Sequence, residues 1–105
     1  MKYKINTATE REIQEHLENV SLPGDAKKIR KNATTYEGWE NTLVGLLAIY
    51  EKGYITNLSV LREYQNRGIA SKLLKMASEK FPHFKLETNI PDFYFKQGFK
   101  VRMYK

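Results

Sequence analysis

The sequence predicts one α/β domain, residues 1–105, built on a mixed sheet with helices packed against it. Three observations carry that prediction. The run from Leu43 to Tyr50 is apolar on both faces of an extended strand, as a central strand covered on both sides must be. Stretches with a two-residue apolar period alternate along the chain with stretches of helical period. At 105 residues the chain supports one hydrophobic core and not two, since compact domains commonly run to about 100–150 residues.

The elements follow in order. Tyr3 and Ile5 alternate with Lys2, Lys4 and Asn6, a short half-buried strand. Thr9 with Glu12 is a capping box, after which Ile13, Leu17 and Val20 share one helical face until Pro23-Gly24 breaks the helix. Asp25 to Asn32 is ambiguous, readable as a short basic helix. A strand is predicted around Ala33 to Tyr36 with a turn near Gly38, then the central strand Leu43 to Tyr50, a turn at Glu51-Lys52-Gly53, and a strand from Tyr54 to Leu61. In that last strand the apolar phase slips by one residue between Ile55 and the pair Leu58/Val60, which predicts a β-bulge. A helix from about Gly68 to Lys80 buries Ile69, Leu73, Leu74 and Ala77, with Pro82 just beyond it. A strand with Phe84 and Leu86, a short helix opened by Pro91 and closed by Gly98, and a strand with Phe99, Val101 and Met103 complete the order.

Composition removes several function classes. Without cysteine there is no disulfide framework, no thiolate metal site and no cysteine nucleophile. His16 and His83 are isolated, with no acidic spacing that implies a metal, and read as surface or core histidines. No apolar run approaches the roughly 20 residues a membrane span needs, and Met1-Lys2-Tyr3-Lys4-Ile5 lacks the apolar region of a signal peptide. The cytoplasm is the expected location. A net charge of +6 favours polyanionic partners: nucleic acid, an anionic membrane or a phosphate-rich cofactor. The excess is dispersed, so a plain solvated basic surface is the alternative.

The segment with most chemistry is Gln65-Asn66-Arg67-Gly68-Ile69-Ala70-Ser71, between a predicted strand and a predicted helix. Such a turn presents unpaired backbone N–H groups at the positive end of a helix, where phosphate oxygens bind. Gly68 allows close approach of a ligand, Ala70 leaves that approach unobstructed, and Gln65 and Arg67 fix the loop or add charge. Gly68 also reads as no more than a helix-start glycine. The pattern is neither a dinucleotide fingerprint nor a Walker loop.

Gln65 to Ala70 resembles the Q/R-x-x-G-x-G/A pyrophosphate loop of the GNAT superfamily of acetyltransferases. Ile55 to Val60 with Arg62-Glu63-Tyr64 is similar to the bulged strand and connector that precede that loop, and Tyr94-Phe95-Lys96-Gln97-Gly98-Phe99 to the family's Y-E-K-x-G-F element. The resemblance runs from about Leu43 to the C-terminus. It implies a mostly antiparallel sheet with a bulged central strand, flanked by helices, and an N-acetyltransferase that uses acetyl-coenzyme A as cosubstrate, without a metal, to acetylate an amine. Backbone groups of the Leu58-Ser59-Val60 strand would pair with the pantetheine arm, with a Val60 N–H polarising the thioester. N–H groups from Asn66 to Ser71 would hold the pyrophosphate, and Asn89 would contact the cofactor. Tyr94 matches the tyrosine that protonates the departing thiolate, a phenol of pKa about 10 being a suitable donor; otherwise it is a core aromatic beside Phe93 and Phe95.

Two features depart from the family pattern. Histone-type members carry a glutamate base early in the bulged strand, where this chain has Tyr54. Glu37, Glu40 and Glu87 are the nearest carboxylates, each also readable as a surface charge, and a water chain would serve as base instead. The family hairpin is truncated to one final strand, so a wall of the acceptor site is absent or comes from a second subunit; a homodimer is one expected assembly, and a monomer whose last strand pairs with the Phe84–Thr88 strand is the other. Trp39 reads as packing, or as a lining of the acceptor pocket. Two rival readings remain: a basic module that binds nucleic acid, not the expected partner, and a GNAT domain that binds coenzyme A without turnover.

Overall fold

The computed structural model describes residues 1–84. Residues 85–88 of the strand expected from Phe84 to Thr88, the Pro91 helix, the closing strand, and with them Glu87, Asn89 and Tyr94, lie outside the described residues. The elements are β1 (Lys2–Ile5), α1 (Glu10–Asn19), α2 (Ala26–Asn32), β2 (Thr34–Trp39), β3 (Leu43–Tyr50), β4 (Tyr54–Val60) and α3 (Ile69–Ser78), with single 3-10 turns at Glu51–Gly53 and Arg62–Tyr64. The strands pair antiparallel in the order β1-β2-β3-β4.

Both N-terminal helices start where their caps dictate. Thr9 Oγ1 accepts the Glu12 N–H at 3.1 Å, and the Glu12 carboxylate accepts the Thr9 N–H at 2.9 Å, the reciprocal pairing of a capping box. Asp25 accepts the Lys28 N–H at 3.1 Å, which resolves the ambiguous basic segment as α2 with Ala26 and Ile29 buried. These helices lie on one face of the sheet: Ile13, Leu17, Ala26 and Ile29 pack on Leu43, Leu46 and Ala48. On the other face Leu73, Leu74 and Ala77 of α3 pack on Val44, Leu47 and Ile49. Tyr3 of β1 joins that second core, but Ile5, read as its buried companion, is exposed.

Two irregularities set which side chains face which helix. Gly38 pairs with Gly45 and Trp39 with Leu43, so β3 carries one residue more than β2 there. The extra residue places Val44 with Leu47 and Ile49, and Leu43 with Leu46 and Ala48. The second lies in β4, where Ala48 pairs with Asn57 and Ile49 with Ile55, leaving Thr56 unpaired. That is the bulge the apolar phase predicts, and it returns Ile55 to the face occupied by Leu58 and Val60.

Gly38 is not at a turn. It lies within β2 because the Gly38–Gly45 pair is the seat of α3: a Cβ at Gly45 would stand 2.9 Å from Ile69 Cγ2, and one at Gly38 3.4 Å from the same atom. The chain reverses instead between β2 and β3, with the Glu40 N–H donating to the Thr42 carbonyl. Glu37 is not a surface charge either. It is buried, and its carboxylate accepts hydrogen bonds from the Thr7 and Ala8 N–H groups, the Thr7 and Thr35 hydroxyls and the Trp39 indole N–H. Burial alone would raise its pKa, but these donors outweigh it and hold the carboxyl below its usual range. Glu37 thus moors the approach to α1 on the sheet and is not free to act as a base.

Candidate active site

The strand and loop that carry the sequence motifs come together around one cleft of about 760 Å³. Among the described residues β4 has β3 as its sole neighbour. The Leu61 N–H donates to the Val44 carbonyl at 2.8 Å, so by the alternation of an antiparallel ladder Ser59 also bonds inward and the backbone groups of Leu58 and Val60 turn outward. The outward Val60 carbonyl accepts the Gln65 side-chain amide at 3.1 Å. Gln65 therefore ties the loop to the strand.

Beyond Gln65 the loop coils with Asn66 at φ 63° and Gly68 at φ 79°, the left-handed region that glycine and asparagine enter most readily. Helix α3 then begins at Ile69, whose side chain is buried on the Gly38–Gly45 seat. The first α3 amide with a backbone partner is that of Lys72, which donates to the Gly68 carbonyl at 3.0 Å. The N–H groups of residues 66–71 make no hydrogen bond among the described residues. A Cβ at Gly68 would meet nothing within 4 Å, so the loop faces open space there.

Leu58, Ser59, Val60, Gln65, Asn66, Gly68, Ile69, Ala70 and Ser71 all line this cleft, opposite Val20 and Leu22 from the end of α1. Arg67 does not: its guanidinium lies 5.1 Å from the ring centre of Tyr64, a cleft-lining residue, in a cation–π contact. Trp39 stands elsewhere, on a cavity of about 110 Å³ beside α1. Tyr54, which the resemblance aligns with the glutamate of histone-type members, is exposed at the start of β4.

Sequence reasoning did not find a buried polar chain behind the cleft. His16, 1% exposed, places Nδ1 2.9 Å from the Leu43 carbonyl oxygen and Nε2 2.8 Å from Ser59 Oγ. Ser59 Oγ lies in turn 2.9 Å from the Asn57 side-chain oxygen. Burial pushes the His16 pKa down, and its two hydrogen bonds only partly offset this, which favours neutral imidazole. The available signal was positional: His16 falls on the same α1 face as Ile13 and Leu17, where a polar side chain has to find a buried partner.

The bulged strand β4, the tethered loop and the start of α3 are the segments whose sequence resembles the GNAT acetyltransferases. The acetyltransferase (GNAT) domain model matches residues 32–101, more than half of the chain, and the chain belongs to that family. It is accordingly an acyltransferase, and the family's general reaction is acetyl-CoA-dependent N-acetyl transfer.

Solved structures share the fold. A GNAT-family acetyltransferase from Streptococcus pneumoniae TIGR4 aligns with TM-score 0.76 at 21% identity, over 95% of this chain and 87% of that one. The ribosomal-protein-alanine N-acetyltransferase from Brucella melitensis biovar Abortus 2308 aligns with TM-score 0.72 at 14% identity, over 100% and 96%. AAC(6')-Iy, solved in complex with the bisubstrate analogue CoA-S-monomethyl-acetylneamine, aligns with TM-score 0.71 at 12% identity, over 100% and 98%. A comparison with curated protein sequences gives no match. No helix among the described residues is long and apolar enough to cross a membrane.

Proposed function

We propose that this chain transfers the acetyl group of acetyl-CoA directly to an amine, with the cosubstrate lying along β4 and its pyrophosphate on the 66–71 loop. The observation that carries the reading is the run of unpartnered N–H groups at residues 66–71, opening on the same cleft as the outward edge of Leu58 and Val60. The residues present fit the group. Bare amides at a helix start match phosphate oxygens, the space before Gly68 admits them, and the cleft volume is of the size that ligand sites have.

The roles divide along the strand. Leu58 offers both its N–H and its carbonyl to the amides of the pantetheine arm. Val60 offers only its N–H, because Gln65 holds its carbonyl. That N–H is the group available to polarise the thioester oxygen, a fixed donor that needs no reorganisation as charge develops. With no cysteine in the chain, a cysteine-bound acyl intermediate is not a route. Orientation of amine and thioester in one complex is then the main contribution. Tyr94 is the proposed proton donor to the departing thiolate, with Asn89 a further cofactor contact.

Calorimetry with acetyl-CoA tests the reading. The parent protein binds, and Gly68→Val binds at least tenfold more weakly, about 1.4 kcal/mol, because a branched side chain fills the phosphate approach. Equal affinity in a Gly68→Val protein that unfolds cooperatively would remove the loop assignment. Tyr94→Phe lowers kcat at unchanged acetyl-CoA affinity, the pattern of an interaction made in the transition state.

A further inference from the structure

The acceptor of this reaction arrives as an ammonium ion and must lose a proton before its nitrogen attacks, and no carboxylate described here is placed to take it. Glu37 is buried and fully bonded, Glu40 is exposed, and Tyr54 stands where the resemblance aligns the glutamate of histone-type members. Ser59 lines the cleft from the middle of β4, between the outward-bonding Leu58 and Val60, and its hydroxyl is bonded to a buried imidazole.

We infer that Ser59 and His16 form a proton relay for the acceptor amine, with Ser59 receiving the proton in the cleft and His16 acting through it; the inference rests on the acyl-transfer reading above. The contact with the Leu43 carbonyl sets the tautomer of the starting state. The Leu43 carbonyl only accepts, so His16 Nδ1 carries a proton, and a neutral ring then presents a bare Nε2 to Ser59. The Ser59 hydroxyl has one proton and two acceptors within reach, Asn57 Oδ1 at 2.9 Å and the bare Nε2 at 2.8 Å, and the relay starts from the rotamer that gives the proton to Nε2.

In the transfer, an ammonium N–H bond breaks as an O–H bond forms on Ser59, and the original Ser59 O–H breaks as an N–H forms on His16 Nε2. The amine nitrogen is left with its lone pair. Ser59, again a hydroxyl, now accepts from the imidazolium Nε2–H and turns its new proton to the Asn57 oxygen 2.9 Å away. Asn57 Oδ1 accepts the Ser59 proton in the second state and not in the first, and between the two states only the Ser59 hydroxyl rotates. Asn57, beside the bulge, is the second seat that makes the rotation possible.

The surroundings of His16 keep the resting ring neutral and make any charge on it short-lived. Glu12 and Glu15 of its own helix line a small cavity against its far side, with Asn19, Trp39, Asn41 and Thr42. Glu12 is engaged by the Thr9 N–H and Glu15 by Arg11 at 3.2 Å, so neither carboxylate competes for the ring. From the sheet, β3 presents the Leu43 carbonyl and β4 presents Ser59, neither of them charged. Burial, which pushes the His16 pKa down, keeps the ring in its receptive form at neutral pH and makes it give the proton up again after turnover.

Two measurements test the relay. The first needs no acceptor. The chain has 2 histidines, so nitrogen-15 imidazole spectra of the parent and of His16→Gln assign His16 directly. At neutral pH the ring is protonated on Nδ1 and bare on Nε2, and Ser59→Ala shifts the Nε2 resonance. A ring protonated on Nε2, or an Nε2 resonance indifferent to Ser59→Ala, would overturn the relay even if no test amine is turned over.

The second measurement compares spermidine, charged at neutral pH, with hydroxylamine, which is not. Ser59→Ala and His16→Gln lower kcat/KM for spermidine about a hundredfold more than for hydroxylamine, the scale of general-base assistance. Equal loss with both, as structural damage would produce, or loss with neither, overturns the relay. Acetyl-CoA calorimetry on the same proteins separates the two levels of the argument. A parent protein that does not bind acetyl-CoA overturns the acyl-transfer reading itself, whereas intact binding with unselective loss overturns the relay alone.

Discussion

Glu37 shows how much one side chain can fix. Its carboxylate is 0% exposed, yet donors from Thr7, Ala8, Thr35 and Trp39 surround it, so the charge removed from water is met by hydrogen bonds on every side. Two of those donors are backbone amides immediately before α1, which makes Glu37 the link between the first helix and the sheet. Glu37→Gln replaces one acceptor oxygen by an NH2 group that faces N–H and O–H donors, leaving buried groups unpaired. The expected cost is about 2–3 kcal/mol, read as a lower urea midpoint at unchanged m-value. Because α1 carries His16, the same variant also loosens the ring's contact with Ser59 and broadens its imidazole resonances. A variant as stable as the parent would mean that water enters and satisfies the site.

At the scale of elements, the seat of α3 joins fold to chemistry. Ile69 rests on the Gly38–Gly45 pair, and the residue before it, Gly68, is the turning point of the loop with bare amides. Gly45→Val would put a side chain within 2.9 Å of Ile69 Cγ2 and 3.3 Å of Leu73 Cδ1, and α3 would have to lift. Overpacking of this kind costs about 1–3 kcal/mol. The expected outcome is a lower Tm together with weaker acetyl-CoA binding, although Gly45 lies on the strand beneath the helix; a lower Tm with parental affinity would mean that loop and helix move independently.

These elements also divide what was legible in the sequence from what was not. The β4 bulge could be read because apolar residues mark its faces, and the slip from Ile55 to Leu58 records the extra residue. The matching irregularity at Val44 could not, since every neighbour in β3 is apolar and no phase exists to slip. Gly38 carried a turn signal because a local reading cannot know that Ile69, far along the chain, needs the space above it. The loop and outward edge of the cleft were legible as a contiguous motif. The chain from His16 to Ser59 joins residues 43 positions apart, a contact that only the folded sheet creates.

For the whole molecule, the buried groups that organise the site also set how the fold responds to acid. His16 and Glu37 both have folded-state pKa values below their ordinary ones, 6.5 for histidine and 4.5 for glutamate. In each case the unfolded chain takes up a proton before the folded one does, so stability is present above the ordinary value and is lost as pH falls toward the folded value. The two groups act in separate windows. His16 contributes the first loss, starting as pH drops through 6.5, because an imidazolium must then be held in the core. Glu37 contributes the second, starting below 4.5, when its donors lose the charge they surround. His16→Gln removes the first step and leaves the second, so the difference between the two proteins isolates the ring. Urea midpoints followed from about pH 7 to pH 5 at constant ionic strength should fall in the parent and stay nearly level in His16→Gln. Parallel curves for the two proteins would show that His16 binds protons equally well folded and unfolded, and that the core holds its charged form without penalty.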